Sequence, residues 1–180
     1  MGWCLVTLFV LIGFAGNAQR EFRFDHITTK DGLSQSQPNC IFEDSRGYIW
    51  VGTQDGLNRF DGYEFKVYKN DPFDSTTITH NWIWSINEDD NGNIWVATFM
   101  GVCKLVRDEN RFIRYFHSNK DSTSISGNRT NFILKDRKGQ IWISSWGAGL
   151  NLYNQKQNTF ARFTNESVNT LSISSNYIRT

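Results

Sequence analysis

Short apolar runs separated by polar turns recur along this chain with a long period. Asp44-Ser45-Arg46-Gly47-Tyr48-Ile49-Trp50-Val51 returns as Asp89-Asp90-Asn91-Gly92-Asn93-Ile94-Trp95-Val96 and again as Asp136-Arg137-Lys138-Gly139-Gln140-Ile141-Trp142-Ile143. The tryptophans at 50, 95 and 142 stand 45 and then 47 residues apart, a period that marks a repeat architecture. Within each phrase, Asp and Gly suit a tight turn: the Asp side chain caps it, and Gly takes the positive φ that other residues resist. The β-branched and aromatic run that follows is of strand length.

Each unit predicts four strands. Apolar runs at Cys40-Ile41-Phe42, Trp84-Ser85-Ile86 and Phe132-Ile133-Leu134 precede the turn and form a hairpin with the tryptophan strand. A third strand starts after Gly56, Gly101 and Gly149, and a fourth covers Phe65 to Tyr68, Phe112 to Phe116 and Phe160 to Phe163. Four strands in a unit of this length is the arithmetic of a β-propeller blade. Side chains alternate along a strand, so Ile94 and Val96 face one way while Trp95 and Ala97 face the other. A sheet apolar on both faces needs a cover on each, which neighbouring blades provide, with each Trp as a wedge between them.

The expected fold is therefore all-β: blades of four antiparallel strands in an incomplete ring. Blades span 33–77, 78–124 and 125–170, opened in one register by Leu33, Ile78, Ile125 and Leu171, and 171–180 starts a fourth. Propellers take about 4 to 8 blades, so the chain reads as the N-terminal piece of a longer protein, with an apolar blade face and a sheet edge left open. Residues 19–32 read as a closing strand, because Phe24 precedes Leu33 much as Tyr68 precedes Ile78. The apolar run from Trp3 to Phe14 and the small residues Gly16 and Ala18 predict a cleaved secretory signal peptide over 1–18, although no Lys or Arg precedes the run.

Composition narrows the partners. With 180 residues, 15% aromatic content and a formal net charge of +1, the chain is β-rich and not a strongly basic nucleic-acid binder. No nucleic-acid partner is expected for this segment, and membrane attachment only through a missing C-terminal part. Cys40 and Cys103 read as small buried hydrophobes rather than a disulfide. His26, His80 and His117 stand alone, so neither a metal nor a cofactor is expected.

Asp31-Gly32-Leu33-Ser34, the phrase from Asp44 to Thr53, and the run from Asp55 to Gly62 resemble the repeats of two-component regulator propellers. These are sensor domains of periplasmic sensor histidine kinases, including hybrid two-component systems of Bacteroidetes. The resemblance extends from Phe22 to the end, with drift at Ala97 and Ser144, which replace Gly52. It implies a full-length homodimer with many blades, a β-sandwich, one membrane helix and a cytoplasmic kinase. The implied ligand is an oligosaccharide or another small periplasmic molecule, and the implied output is transcription driven through a phosphorelay. Some relatives couple the propeller to other outputs.

No catalytic residue is expected in this chain. The phrase also resembles the Asp-box of sialidase-type propellers, but that motif has one residue between Asp and Gly where this one has two. Glycoside hydrolysis needs two converging carboxylates, whereas Glu43, Asp44, Asp61, Asp89 and Asp136 lie in turns or at repeat-equivalent positions. A secreted glycan-binding propeller, a glycoside-active fragment and a protein-docking scaffold are the alternatives to a sensor. For a ligand, the loops after the second strands supply Gln54, Asp55, Phe99 and Trp146, and the segments before the first strands supply Asn81, Trp82, Asn128 and Arg129. Aromatic faces for sugar rings beside amides and charges for hydroxyls form such a site. Phe99, Met100 and Trp146 serve equally as plugs of a central channel.

Overall fold

The structure is a computed structural model that describes residues 24–179. Three four-stranded antiparallel sheets follow one another along the chain. The first contains β1 (Cys40–Glu43), β2 (Ile49–Thr53), β3 (Gly56–Phe60) and β4 (Phe65–Tyr68). The second contains β5 (Ile83–Glu88), β6 (Ile94–Thr98), β7 (Val102–Val106) and β8 (Arg111–Tyr115). The third contains β9 (Thr130–Lys135), β10 (Ile141–Ser145), β11 (Gly149–Asn154) and β12 (Thr159–Phe163). Each sheet is a meander in sequence order. Neighbouring sheets meet mainly along β1, β5 and β9, so the blades converge at their first strands and splay apart at their fourth. That is propeller geometry, with the first strands nearest the axis.

Two expectations meet the structure at the chain ends. The signal peptide and residues 19–23 of the closing strand lie outside the described residues. Across 24–28 no strand forms, because a strand needs a hydrogen-bonding neighbour and all three sheets stop at four strands. At the other end the repeat register falls on Ile173 rather than Leu171. Asn70 Nδ2 donates to the carbonyl of Ile78, and Asn165 Nδ2 donates in the same way to that of Ile173. Leu171 stays 94% exposed where Ile78 and Ile125 are fully buried.

The hairpin turns repeat nearly atom for atom. Asp44 Oδ1 accepts from the amides of Arg46 and Tyr48, Asp89 Oδ1 from Asn91 and Asn93, and Asp136 Oδ1 from Lys138 and Gln140. The other carboxylate oxygen takes the indole N–H six residues on, at 2.6 Å for Trp50, 2.9 Å for Trp95 and 3.0 Å for Trp142. One Asp thus caps the turn and satisfies the polar atom of the wedge, which a buried indole requires. Gly47, Gly92 and Gly139 sit at φ of 80°, 78° and 75° to close the turn.

Two apolar seams hold the blades together. Trp50, 1% exposed, packs with Leu57, Ile78, Ile83, Ile86, Val96 and Phe112 between the first and second blades. Trp95, fully buried, packs with Ile125, Ile133, Ile143 and Phe160 between the second and third. Trp142 occupies the equivalent place on the third blade but is only partly buried, because no blade follows it among the described residues. The open apolar face expected from sequence is therefore present, carried by Trp142 and the exposed Leu134. Among the described residues Cys40 and Cys103 are unpaired; burial pushes the Cys40 thiol up to about 12 and the Cys103 thiol up to about 11, which keeps them protonated.

Polar pins supplement the first seam and the connectors. Arg107 Nη2 bonds Asp44 Oδ2 at 2.8 Å and Glu88 Oε1 at 3.0 Å, in a buried triad that also receives the Ser45 amide and hydroxyl. Removing one member of such a set strands a buried charge, at a cost of about 3 to 5 kcal/mol. Arg114 and Arg162, at matching positions on β8 and β12, grip the connectors entering their blades through the carbonyls of Thr77 and Ser124. Asn58 and Asn151 accept the backbone amides of Ser34 and Ser126, tying them to β3 and β11, and in the middle blade the buried Cys103 faces Thr79 at the equivalent place.

Candidate functional site

The channel side of the first strands is shaped by two irregularities. Between Ile83 and Ser85 the β5–β6 pairing skips Trp84, and between Thr130 and Phe132 the β9–β10 pairing skips Asn131. An extra residue in one strand bends it and re-aims a side chain. Trp84 and Asn131 accordingly line a cavity of 580 Å³ along the inner strands, with Asn39, Arg129, Trp146 and Arg179. That volume lies within the usual range for small-molecule sites.

Across this side runs a continuous stack of rings and guanidiniums. Trp84 stacks on Trp82 with centroids 5.3 Å apart, and Trp82 stacks on Phe99 at 5.8 Å. The Arg129 guanidinium carbon lies 5.3 Å from the Phe99 ring and 5.6 Å from the Trp146 ring, bridging the two blades. Arg179 covers Trp146 at 5.3 Å, and Tyr177 meets the same ring edge-on at 5.9 Å. Phe99 is 37% and Trp146 36% exposed, so both present surface to solvent rather than sealing a core. His80 packs against Phe99 at 5.6 Å; burial depresses its pKa, and its Nδ1 accepts the Trp82 amide, so the ring stays neutral.

Of the eight residues singled out from sequence, the structure gathers Trp82, Phe99, Arg129 and Trp146 into this stack. The others serve elsewhere. Asn81 Oδ1 accepts the Asn70 amide and Asn128 Oδ1 accepts the His117 amide, so both hold connectors in place. Asp55 pairs with Lys69 at 2.7 Å, and the exposed Gln54 donates its amide N–H to Gln35. Trp84, Asn131, Tyr177 and Arg179 were missed. Trp84 read as an ordinary strand residue because nothing in the alternation marks a bulge.

The charge of the site is one-sided. Arg129 and Arg179 are the charged residues lining the cavity, and no Asp or Glu joins them. The repeat aspartates point instead into the turns and seams described above. A pair of carboxylates on a common substrate is therefore not offered here, and the arrangement suits stacking and hydrogen bonding rather than hydrolysis.

Comparison with known proteins fits this geometry. The model of the two component regulator propeller family matches residues 32–55 and 77–100, which open the first and second blades. Over 75 residues the chain is 49% identical to histidine kinase P4 of Formosa agariphila, a match covering 41% of this chain and 6% of that protein. The extracellular domain of a putative hybrid two component system from B. thetaiotaomicron superposes with a TM-score of 0.72 at 25% identity, over 77% of this chain and 20% of that one. Virginiamycin B lyase from Staphylococcus aureus shares the fold alone, with a TM-score of 0.53 at 18% identity over 72% of this chain and 41% of its own. The chain thus spans a small part of the sensor proteins it matches. Among the described residues no helix is long and apolar enough to cross a membrane, and the B. thetaiotaomicron structure is that of an extracellular domain. Three stacked blades, the recurring Asp-to-indole bond and these matches together make the chain similar to the two component regulator propellers, whose repeat is matched at residues 32–55 and 77–100.

Proposed function

We propose that this chain is the ligand-sensing propeller portion of a two-component sensor histidine kinase, exported to the periplasm, and that its ligand is an oligosaccharide. The observation that carries this reading is the solvent-facing stack from Trp84 through Trp82, Phe99 and Arg129 to Trp146, beside a 580 Å³ cavity. Sugar rings pack their apolar faces on such rings while N–H groups take the hydroxyls. Trp82, Phe99, Arg129 and Trp146 contact the ligand, and Asn81 and Asn128 fix the segments that carry two of them. In the homodimer, binding acts on the kinase by favouring one arrangement of the two subunits. The phosphorelay then adjusts transcription.

The test is to heat the intact protein with pools of oligosaccharides while assaying for products. A ligand-dependent rise in melting temperature without turnover is expected. Turnover would make the protein an enzyme, and the absence of stabilisation by every pool would remove the sensing role.

A further inference from the structure

Resting on that sensing reading, we propose that the ligand is anionic: an oligosaccharide carrying carboxylate or sulfate groups, held by Arg129 and Arg179. The argument begins with what the cavity leaves free. Asn39 Nδ2 donates to the Ile83 carbonyl, Asn87 Nδ2 to that of Ile133 and Asn131 Nδ2 to that of Ile178, while Ser85 Oγ accepts the Ile133 amide. The Nδ2 groups of these amides and the Ser85 hydroxyl are therefore engaged in holding the blades together. The charged groups left to a ligand are the two guanidiniums, joined by the indole N–H groups of Trp84 and Trp146, and none of these four can accept. A site with two cations, two indole donors and no carboxylate favours an acceptor-rich, negatively charged partner.

The two arginines also differ from most of their kind in this protein. Arg107 is neutralised by Asp44 and Glu88, Arg111 pairs with Glu109, and Arg114 and Arg162 are spent on connector carbonyls. Among the described residues, Arg129 and Arg179 make neither an ion pair nor a side-chain hydrogen bond; their contacts are with rings. A guanidinium stacked by its face keeps its N–H edge available, and that planar fork matches carboxylate or sulfate oxygens. Both cations lie against the single Trp146 ring, 5.6 Å and 5.3 Å from its centroid, with no acid between them. Their mutual repulsion is relieved by a shared anion. Trp146 then acts as the floor on which a sugar ring rests while its charged substituent spans the two forks.

The experiment uses the intact protein with matched probes that differ only in charge. Oligogalacturonate is set against its methyl ester, and a sulfated galactan oligosaccharide against its desulfated form. The charged member of at least one pair is expected to raise the melting temperature and to bind about tenfold or more tightly than its neutral twin. That preference should shrink when salt is raised from about 50 mM to about 500 mM, and should vanish in Arg129→Gln and Arg179→Gln while Arg179→Lys keeps part of it. Which pair discriminates identifies the anion. Equal binding of charged and neutral twins would overturn the anionic assignment and leave the sensing role standing. Absence of binding by all four, together with failure of every pool in the earlier test, would overturn both.

Discussion

The turn beneath each tryptophan and the loop at the other end of the same strand solve their problems in opposite ways. At the turn, Asp44, Asp89 and Asp136 make the same three hydrogen bonds, and the indole distances span only 2.6 to 3.0 Å. At the loop, the repeat-equivalent residues are Gln54, Phe99 and Trp146, and just before the first strands of the second and third blades they are Trp82 and Arg129. Repetition at one end buries a wedge that every seam needs. Variation at the other end builds a surface that no seam needs, and in a receptor that is where discrimination belongs.

The contrast can be broken most severely at a wedge. Trp95→Ala should destabilise the fold by about 3 to 5 kcal/mol, as loss of a buried aromatic does, whereas Trp142→Ala in this chain should cost well under that. Chemical denaturation of the two variants checks it, and equal losses would mean that blade stacking does not set the burial of these rings. Next in size is the buried triad. Asp44→Ala should cost about 3 kcal/mol, because Arg107 and the Trp50 indole lose their acceptor together. Asp136→Ala, which faces no such arginine, should cost much less. Comparable midpoints for the two would show that the triad adds nothing to the first seam.

Gly52→Ala probes how closely the first two blades approach. A Cβ there would lie 2.6 Å from both Cys40 Sγ and Ile83 Cγ2, so a loss of about 1 to 3 kcal/mol is expected. The second blade carries a buried Ala97 at this position, and a neutral Gly52→Ala would show that the first seam is no tighter. A smaller effect comes from acid. The Trp142 indole holds the Asp136 carboxyl below its ordinary 3.8, and the Thr76 and Thr123 side chains do the same for Asp74 and Asp121. Their folded values lie below the unfolded ones, so their contribution is present above pH 3.8 and is lost as pH falls through the lower folded values. Melting temperature followed down from pH 5 should drop in that window, and a flat profile would show that these carboxyls do not support the turns and connectors.

Much of this was legible in sequence, for a physical reason. Turns need Gly and Asp, and wedges need Trp, so a repeated scaffold repeats its letters; the strands therefore fall where the apolar runs lie. The Asp and the Trp were read as separate devices, whereas six residues of hairpin bring them into one hydrogen bond. The bulges that turn Trp84 and Asn131 toward the channel leave no mark, since one skipped residue resembles ordinary alternation. Asn81 and Asn128 suit a ligand as far as sequence goes, because amides look alike there, and only their bonds to the amides of Asn70 and His117 reveal them as connector anchors. The shift from Leu171 to Ile173 follows from variation inside the blades, such as the longer loop between β10 and β11, because the connectors run a constant ten residues from Tyr68, Tyr115 and Phe163 to Ile78, Ile125 and Ile173.

Phe99 and Trp146 carry the decisive test, since channel plugs and ligand platforms make opposite demands on the unliganded protein. The intact Phe99→Ala/Trp146→Ala double variant should melt within about 2 °C of the wild type yet bind the stabilising oligosaccharide more than about tenfold less tightly by titration calorimetry, a loss of at least about 1.4 kcal/mol. A melting temperature that collapses while affinity is retained would make the stack a plug and contradict its role in recognition.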